Sequence, residues 1–106
     1  MGFFDFFKRP DFSAGLQAFA NTKNAVLLDV RTPEEYRQGH APKAVNLPLG
    51  QIGSAKAKNP DVKTPLFVYC LSGARSRQAV SRLKGMGYEQ VTDLGGIAGY
   101  RGTLEG

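Results

Sequence analysis

Residues Leu66-Phe67-Val68-Tyr69-Cys70 form an unbroken apolar run, and within a few residues of its end the pattern changes period. Bounded by Pro65 on one side and Ser72-Gly73 on the other, and rich in aromatic and branched side chains, the run reads as a buried strand. From Ser76 onward Ala79, Val80, Leu83 and Met86 recur at helical spacing while Arg77, Gln78, Arg82 and Lys84 fall elsewhere, which predicts an amphipathic helix over 76–84. Cys70 thus closes a strand and Ser76 opens a helix. A second continuous run, Ala25-Val26-Leu27-Leu28-Asp29, leads into Thr32-Pro33-Glu34-Glu35. There Thr32 reads as a helix cap, Pro33 as the first helical residue and Glu35 as the closing member of a capping box, and the helix stops at Gly39. Strands with no polar alternation need cover on both faces. The expected fold class is therefore α/β: a central parallel sheet of about four to five strands with helices on both faces.

The remaining segments fit around that frame. Asp11 or Ser13 can cap a short helix whose apolar positions are Phe12, Leu16 and Phe19. Ala44 to Leu47, set between Pro42 and Pro48, suggests a short strand; Gln51 to Lys58 a helix; Asn59 to Pro65 a loop. Gly85-Met86-Gly87-Tyr88 ends the 76–84 helix, and Gln90-Val91-Thr92 enters another strand. Asp93 to Gly96 reads as a tight turn and Ile97 to Tyr100 as the start of a last short helix. With 106 residues the chain fits one core, taken as a single domain over 11–106. Residues 1–10 carry four of the seven phenylalanines and are expected to form an arm packed across that domain.

Topology directs attention to one edge. In a parallel sheet the C-terminal strand ends lie together, and ligands of open α/β sheets bind there. Cys70 and the residues after it must turn sharply, with Gly73 able to take positive φ. The amides of Leu71, Ser72, Gly73 and Ala74, backed by the positive end of a helix, form an anion cradle beside the Arg75 guanidinium. Such a setting favours the thiolate form of a cysteine, which makes Cys70 the candidate nucleophile. Arg31, following the first strand, is placed to flank an anion presented to Cys70, with Asp29 orienting an arginine or a loop amide. The bland alternative is that Cys70 is a small buried hydrophobe. Its place at a strand's end, the glycine in the turn and the following arginine together outweigh that alternative.

Composition narrows the rest. A lone cysteine cannot form an internal disulfide, which fits a reducing compartment and a cytoplasmic location. No apolar run is long enough to span a membrane, and the first ten residues lack the basic start and long apolar core of a signal peptide. The net charge of +5 is scattered, without an aromatic-interleaved basic stripe, so it suits small anions better than nucleic acid. The single histidine and single cysteine offer no metal cluster, and no cofactor is expected.

Four separated segments, Leu28 to Tyr36, Gly39 to Pro48, Tyr69 to Ser76 and Leu94-Gly95-Gly96, resemble single-domain rhodaneses in order and spacing, over roughly residues 24 to 102. The resemblance implies a rhodanese-like fold and a persulfide on Cys70. It also implies sulfane-sulfur transfer from a small anionic donor such as thiosulfate to cyanide or a thiol, including a thiol protein. The chain departs from the family's pattern at Leu71, where many relatives carry a basic residue, and at Lys43, where a glycine is usual. Tyr100 stands where an aromatic follows the double glycine and is read as packing, while His40 is read as structural. Two rival readings remain. One is a non-catalytic or sulfur-carrying binding module. The other is a cysteine phosphatase or arsenate reductase, whose loops are one residue longer than the four that separate Cys70 from Arg75.

Overall fold

The structure, a computed structural model, describes residues 11–106, so the Phe-rich segment of residues 1–10 lies outside the described residues. In chain order the elements are α1 (Phe12–Ala20), β1 (Val26–Asp29), α2 (Pro33–Arg37), β2 (Val45–Asn46), a 3₁₀ helix (Leu49–Ser54), α3 (Ala55–Lys58), β3 (Leu66–Cys70), α4 (Ala74–Gly85) and β4 (Val91–Gly96). The strands form one sheet in the order β2-β1-β3-β4, with every neighbouring pair parallel.

Because side chains alternate along a strand, each strand serves two layers. Leu66, Val68 and Cys70 of β3 join Leu28 of β1 in a core closed by Ile52, Ala55, Ala79 and Leu83 from the 3₁₀ helix, α3 and α4. Phe67 and Tyr69 point the other way, into a core with Leu27, Leu94, Ile97 and Phe12 of α1. All five residues of β3 are buried, which is why its sequence shows no polar alternation.

The local signals at helix starts act as expected. Asp11, not Ser13, caps α1, its carboxylate accepting the Ala14 amide at 3.2 Å. The Thr32 hydroxyl accepts the Glu35 amide while the Glu35 carboxylate accepts the Thr32 amide, a complete capping box with Pro33 in the first turn. Lys43 takes φ of 70°, in the left-handed region.

Four expectations need correction. The long helix opens at Ala74 rather than Ser76, because Gly73 (φ 110°) reverses the chain at once and acts as its cap. Ser76 sits inside the first turn, its hydroxyl donating back to the Gly73 carbonyl at 3.0 Å. Gln51 to Lys58 is a 3₁₀ segment beginning at Leu49 and running into a single α turn. Asp93 to Gly96 is not a turn but the second half of β4: the Asp93 carboxylate accepts the Gly95 amide at 2.8 Å, and a register shift between Val68 and Tyr69 absorbs the kink so that pairing resumes at Tyr69 and Gly95. Ile97 to Tyr100 forms one turn, closed by the Tyr100 amide on the Ile97 carbonyl, and no helix.

Candidate functional site

Strand β3 delivers Cys70 to the C-terminal edge of the sheet, and the next residues are held by main-chain contacts. The Cys70 and Leu71 carbonyls accept the amides of Ile97 and Ala98 at 2.9 and 3.0 Å. Gly96 lies so close beneath the loop that a Cβ there would stand 2.4 Å from the Leu71 carbonyl oxygen and 2.7 Å from Ser72 Cα. A side chain at position 96 would therefore lift the loop off the sheet.

Within the loop the Gly73 amide donates to Cys70 Sγ at 3.0 Å. The amides of Leu71, Ser72, Ala74 and Arg75 donate to no protein acceptor among the described residues. They belong to the turn and to the first turn of α4, where the helix leaves N–H groups unpaired and its dipole is positive. The thiol is thus free of any disulfide, buried, and bordered by unsatisfied donors. Leu71 projects outward, 41% exposed. A groove of about 750 Å³ runs along the outer side of the loop, lined by Leu71, Ser72 and Gly73 together with Phe12, Tyr100, Arg77 and Asp93. Cys70 is not among its walls; the groove borders the loop, not the thiol itself. Tyr100 packs edge-on against Phe12 at 5.1 Å.

Arg75 stands in the first turn of α4 and reaches across to α2. Its Nη1 and Nη2 donate to the two Glu35 carboxylate oxygens at 2.7 and 3.0 Å. The hydrogen bonds from Arg75, helped by those from Thr32 and opposed by burial, lower the Glu35 carboxyl to about 2. Glu35 in turn raises the Arg75 pKa against a burial cost, with smaller contributions from the nearby Cys70 and Asp29 charges. The sequence marks Glu35 only as a capping residue; its second partner lies 40 positions away on another element, which no local pattern reveals.

Arg31 is paired with the carboxylate of Asp29. It is 5% exposed and folds back over the Tyr69 ring, 5.6 Å from its centroid. Its Nε donates to both Asp29 oxygens at 3.0 Å, and its Nη2 donates to Asp29 at 2.6 Å and to the Gly39 carbonyl at 2.8 Å. Burial works against its charge, and the bonds and charge of Asp29 outweigh that, so its pKa lies above the ordinary arginine value. Nε and Nη2 are thus spent on Asp29 and Gly39, and Nη1 alone has no protein partner among the described residues. Asp29 orients both the Arg31 side chain and, at 2.9 Å, the Arg31 amide. It also accepts the Tyr69 hydroxyl at 2.8 Å, and that oxygen takes the Ala41 amide at 3.1 Å, so the ends of β1 and β3 and the 39–41 segment are tied through one buried carboxylate. His40 stacks on Tyr36 at 3.7 Å, with Nδ1 2.8 Å from the Tyr36 carbonyl oxygen, and pairs through its backbone with Glu105.

Among the described residues no group of three or more His, Cys, Asp or Glu side chains could hold a metal, and no helix is long and apolar enough to cross a membrane. What the edge offers is a cysteine sulfur next to unpaired amides, suited to a covalent intermediate on sulfur.

The profile of the rhodanese-like domain family matches residues 14–103. A sulfurtransferase of Allochromatium vinosum is 42% identical over 82 residues, covering 76% of each chain. A thiosulfate sulfurtransferase of Escherichia coli is 41% identical over 71 residues, covering 66% of this chain and 68% of its own. Among solved structures, a rhodanese from E. coli determined with anions superposes with a TM-score of 0.70 at 34% identity, covering 76% of this chain and 96% of that one.

Proposed function

Since this chain belongs to the rhodanese-like domain family, we propose that it is a sulfurtransferase that carries sulfane sulfur as a persulfide on Cys70. A donor such as thiosulfate supplies the sulfur, and cyanide or a thiol, including a thiol on a protein, accepts it. The Cys70 thiolate attacks the outer sulfur of thiosulfate, the Sγ–S bond forms, and sulfite leaves with the electron pair of the broken S–S bond. The acceptor then attacks the terminal sulfur and regenerates the thiolate. One observation carries the reading: Cys70 ends β3 with its Sγ already accepting the Gly73 amide, beside main-chain donors that have no protein partner among the described residues. Those amides receive the transferred sulfur and share its charge. Arg75, held by Glu35, supports the loop and adds a positive charge near the sulfur.

The loop length supports sulfur over phosphorus, because four residues between Cys70 and Arg75 enclose a smaller ring than a phosphoryl group needs. The test is intact-mass measurement after incubation with thiosulfate, followed by assay of thiocyanate on adding cyanide. The expected result is a gain of one sulfur that is absent in Cys70→Ser, and turnover with cyanide. Phosphate release from an aryl phosphate without thiocyanate would reverse the assignment. A sulfur gain with no turnover would make the protein a carrier rather than a catalyst.

A further inference from the structure

Strand β4 carries one residue more than its neighbour. Val68 faces Asp93 and Tyr69 faces Gly95, so Leu94 has no partner of its own on β3 and turns into the core beside Phe12 and Phe67. A single side chain closes this bulge. The Asp93 carboxylate accepts the amide of Gly95, two positions on, at 2.8 Å, and Gly95 takes φ of 79°, which glycine adopts freely. We propose that Asp93 is a positioning residue for the sulfur chemistry, its bond to Gly95 fixing the floor on which the Cys70 loop rests. The inference rests on sulfur transfer through Cys70 and adds a residue to that same site.

Register is what the bond controls. A straight β4 would set Leu94 opposite Tyr69 and Gly95 opposite Cys70, and Gly96 with every later amide would fall one step too far along. With the bulge in place Gly96 pairs with Cys70 and lies under Leu71 and Ser72, where a Cβ would stand 2.4 Å from the Leu71 carbonyl oxygen. The Ile97 and Ala98 amides then meet the Cys70 and Leu71 carbonyls at 2.9 and 3.0 Å. A trans peptide points its N–H opposite to its C=O, so holding these two carbonyls also fixes the direction of the Leu71 and Ser72 amides. Those are two of the unpaired donors that border the sulfur. The far end of the loop is tied to the same bulge. From the first turn of α4 the buried Ser76 hydroxyl donates to the Gly73 carbonyl at 3.0 Å and lies 3.5 Å from the Gly95 carbonyl oxygen.

The experiment compares wild type, Asp93→Asn and Asp93→Ala as full chains. Asparagine keeps an oxygen acceptor at the same reach and gives up the charge; alanine gives up both. Two quantities are followed: the single-turnover rate of one-sulfur mass gain on Cys70 from thiosulfate, and hydrogen exchange at the Ile97 and Ala98 amides by NMR. Asp93→Asn is expected to load within about twofold of wild type with exchange unchanged, while Asp93→Ala loads about tenfold to a hundredfold more slowly with faster exchange at both amides. Asp93 is half-buried, and far-UV circular dichroism checks that each variant folds. Should Asp93→Ala fail to fold, Asp93→Gln, whose amide oxygen sits one carbon too far out, takes its place with the same expectation. Loading by the alanine variant at the wild-type rate would overturn the assignment. So would an equal loss in Asp93→Asn, which would mean that the charge acts and not the bond. No mass gain in wild type would overturn sulfur transfer itself, and the exchange rates alone would then decide whether Asp93 holds the loop.

Discussion

The Glu35 carboxylate serves two elements at once, accepting the Thr32 amide and hydroxyl to cap α2 and gripping Arg75 at the start of α4. Its folded-state pKa of about 2, against an ordinary 4.5, fixes the sign of a pH effect. The unfolded chain binds this proton more readily, so the contribution is fully present above about 4.5 and is lost as pH falls through the window toward 2. Glu35→Gln is therefore expected to be less stable than wild type in urea titrations at pH 6, with the gap narrowing by pH 3. A gap of constant size would show that the carboxylate acts through shape rather than charge. Because both side chains keep some solvent contact, the effect is modest. Arg31 and Asp29 illustrate the opposite case: an ion pair fully inside the protein, whose partners are satisfied by further bonds to Gly39 and Tyr69.

At the scale of elements, glycines separate positions where a helix touches the sheet from positions where it does not. Gly15 lies in α1 against Leu94 of β4, and a Cβ there would come within 2.5 Å of the leucine Cγ. Gly85 closes α4 with nothing within 4 Å. Helix propensity alone favours alanine at both by roughly 0.5–1 kcal/mol. Thermal melts are expected to show Gly85→Ala raising Tm by a few degrees and Gly15→Ala lowering it; a stabilised Gly15→Ala would mean that α1 moves freely on the sheet. The same contrast between local and distant causes decides what could be read in advance. The Thr32-Pro33-Glu35 box, the strand at Leu66–Cys70 and the turn at Gly73 are specified within a few neighbouring residues, and each is legible. The full length of β4 is not, since Asp93 and Gly95 look like turn residues until Val68 and Tyr69 are paired opposite them. Nor is the commitment of Arg31 to the interior, which needs Gly39 and Tyr69 to close around it.

Across the whole molecule, a sheet with a core on each side is expected to unfold as one unit, because β3 contributes to both layers. Leu83→Ala on one side and Leu94→Ala on the other should each cost about 2–5 kcal/mol. For each variant, far-UV circular dichroism and tyrosine fluorescence should report a single shared transition. Two separated transitions in Leu94→Ala would mean that α1 and its layer melt alone. The contact of Gly96 with the Leu71 and Ser72 backbone, reinforced by the Ile97 and Ala98 amides, has a consequence for how such a protein changes its habits. The shape of the reactive bend is set from below by peptide groups, leaving the outward faces of positions 71 and 72 with no share in upholding it. New preferences among small molecules can thus be written there one codon at a time, with the scaffold indifferent to the choice.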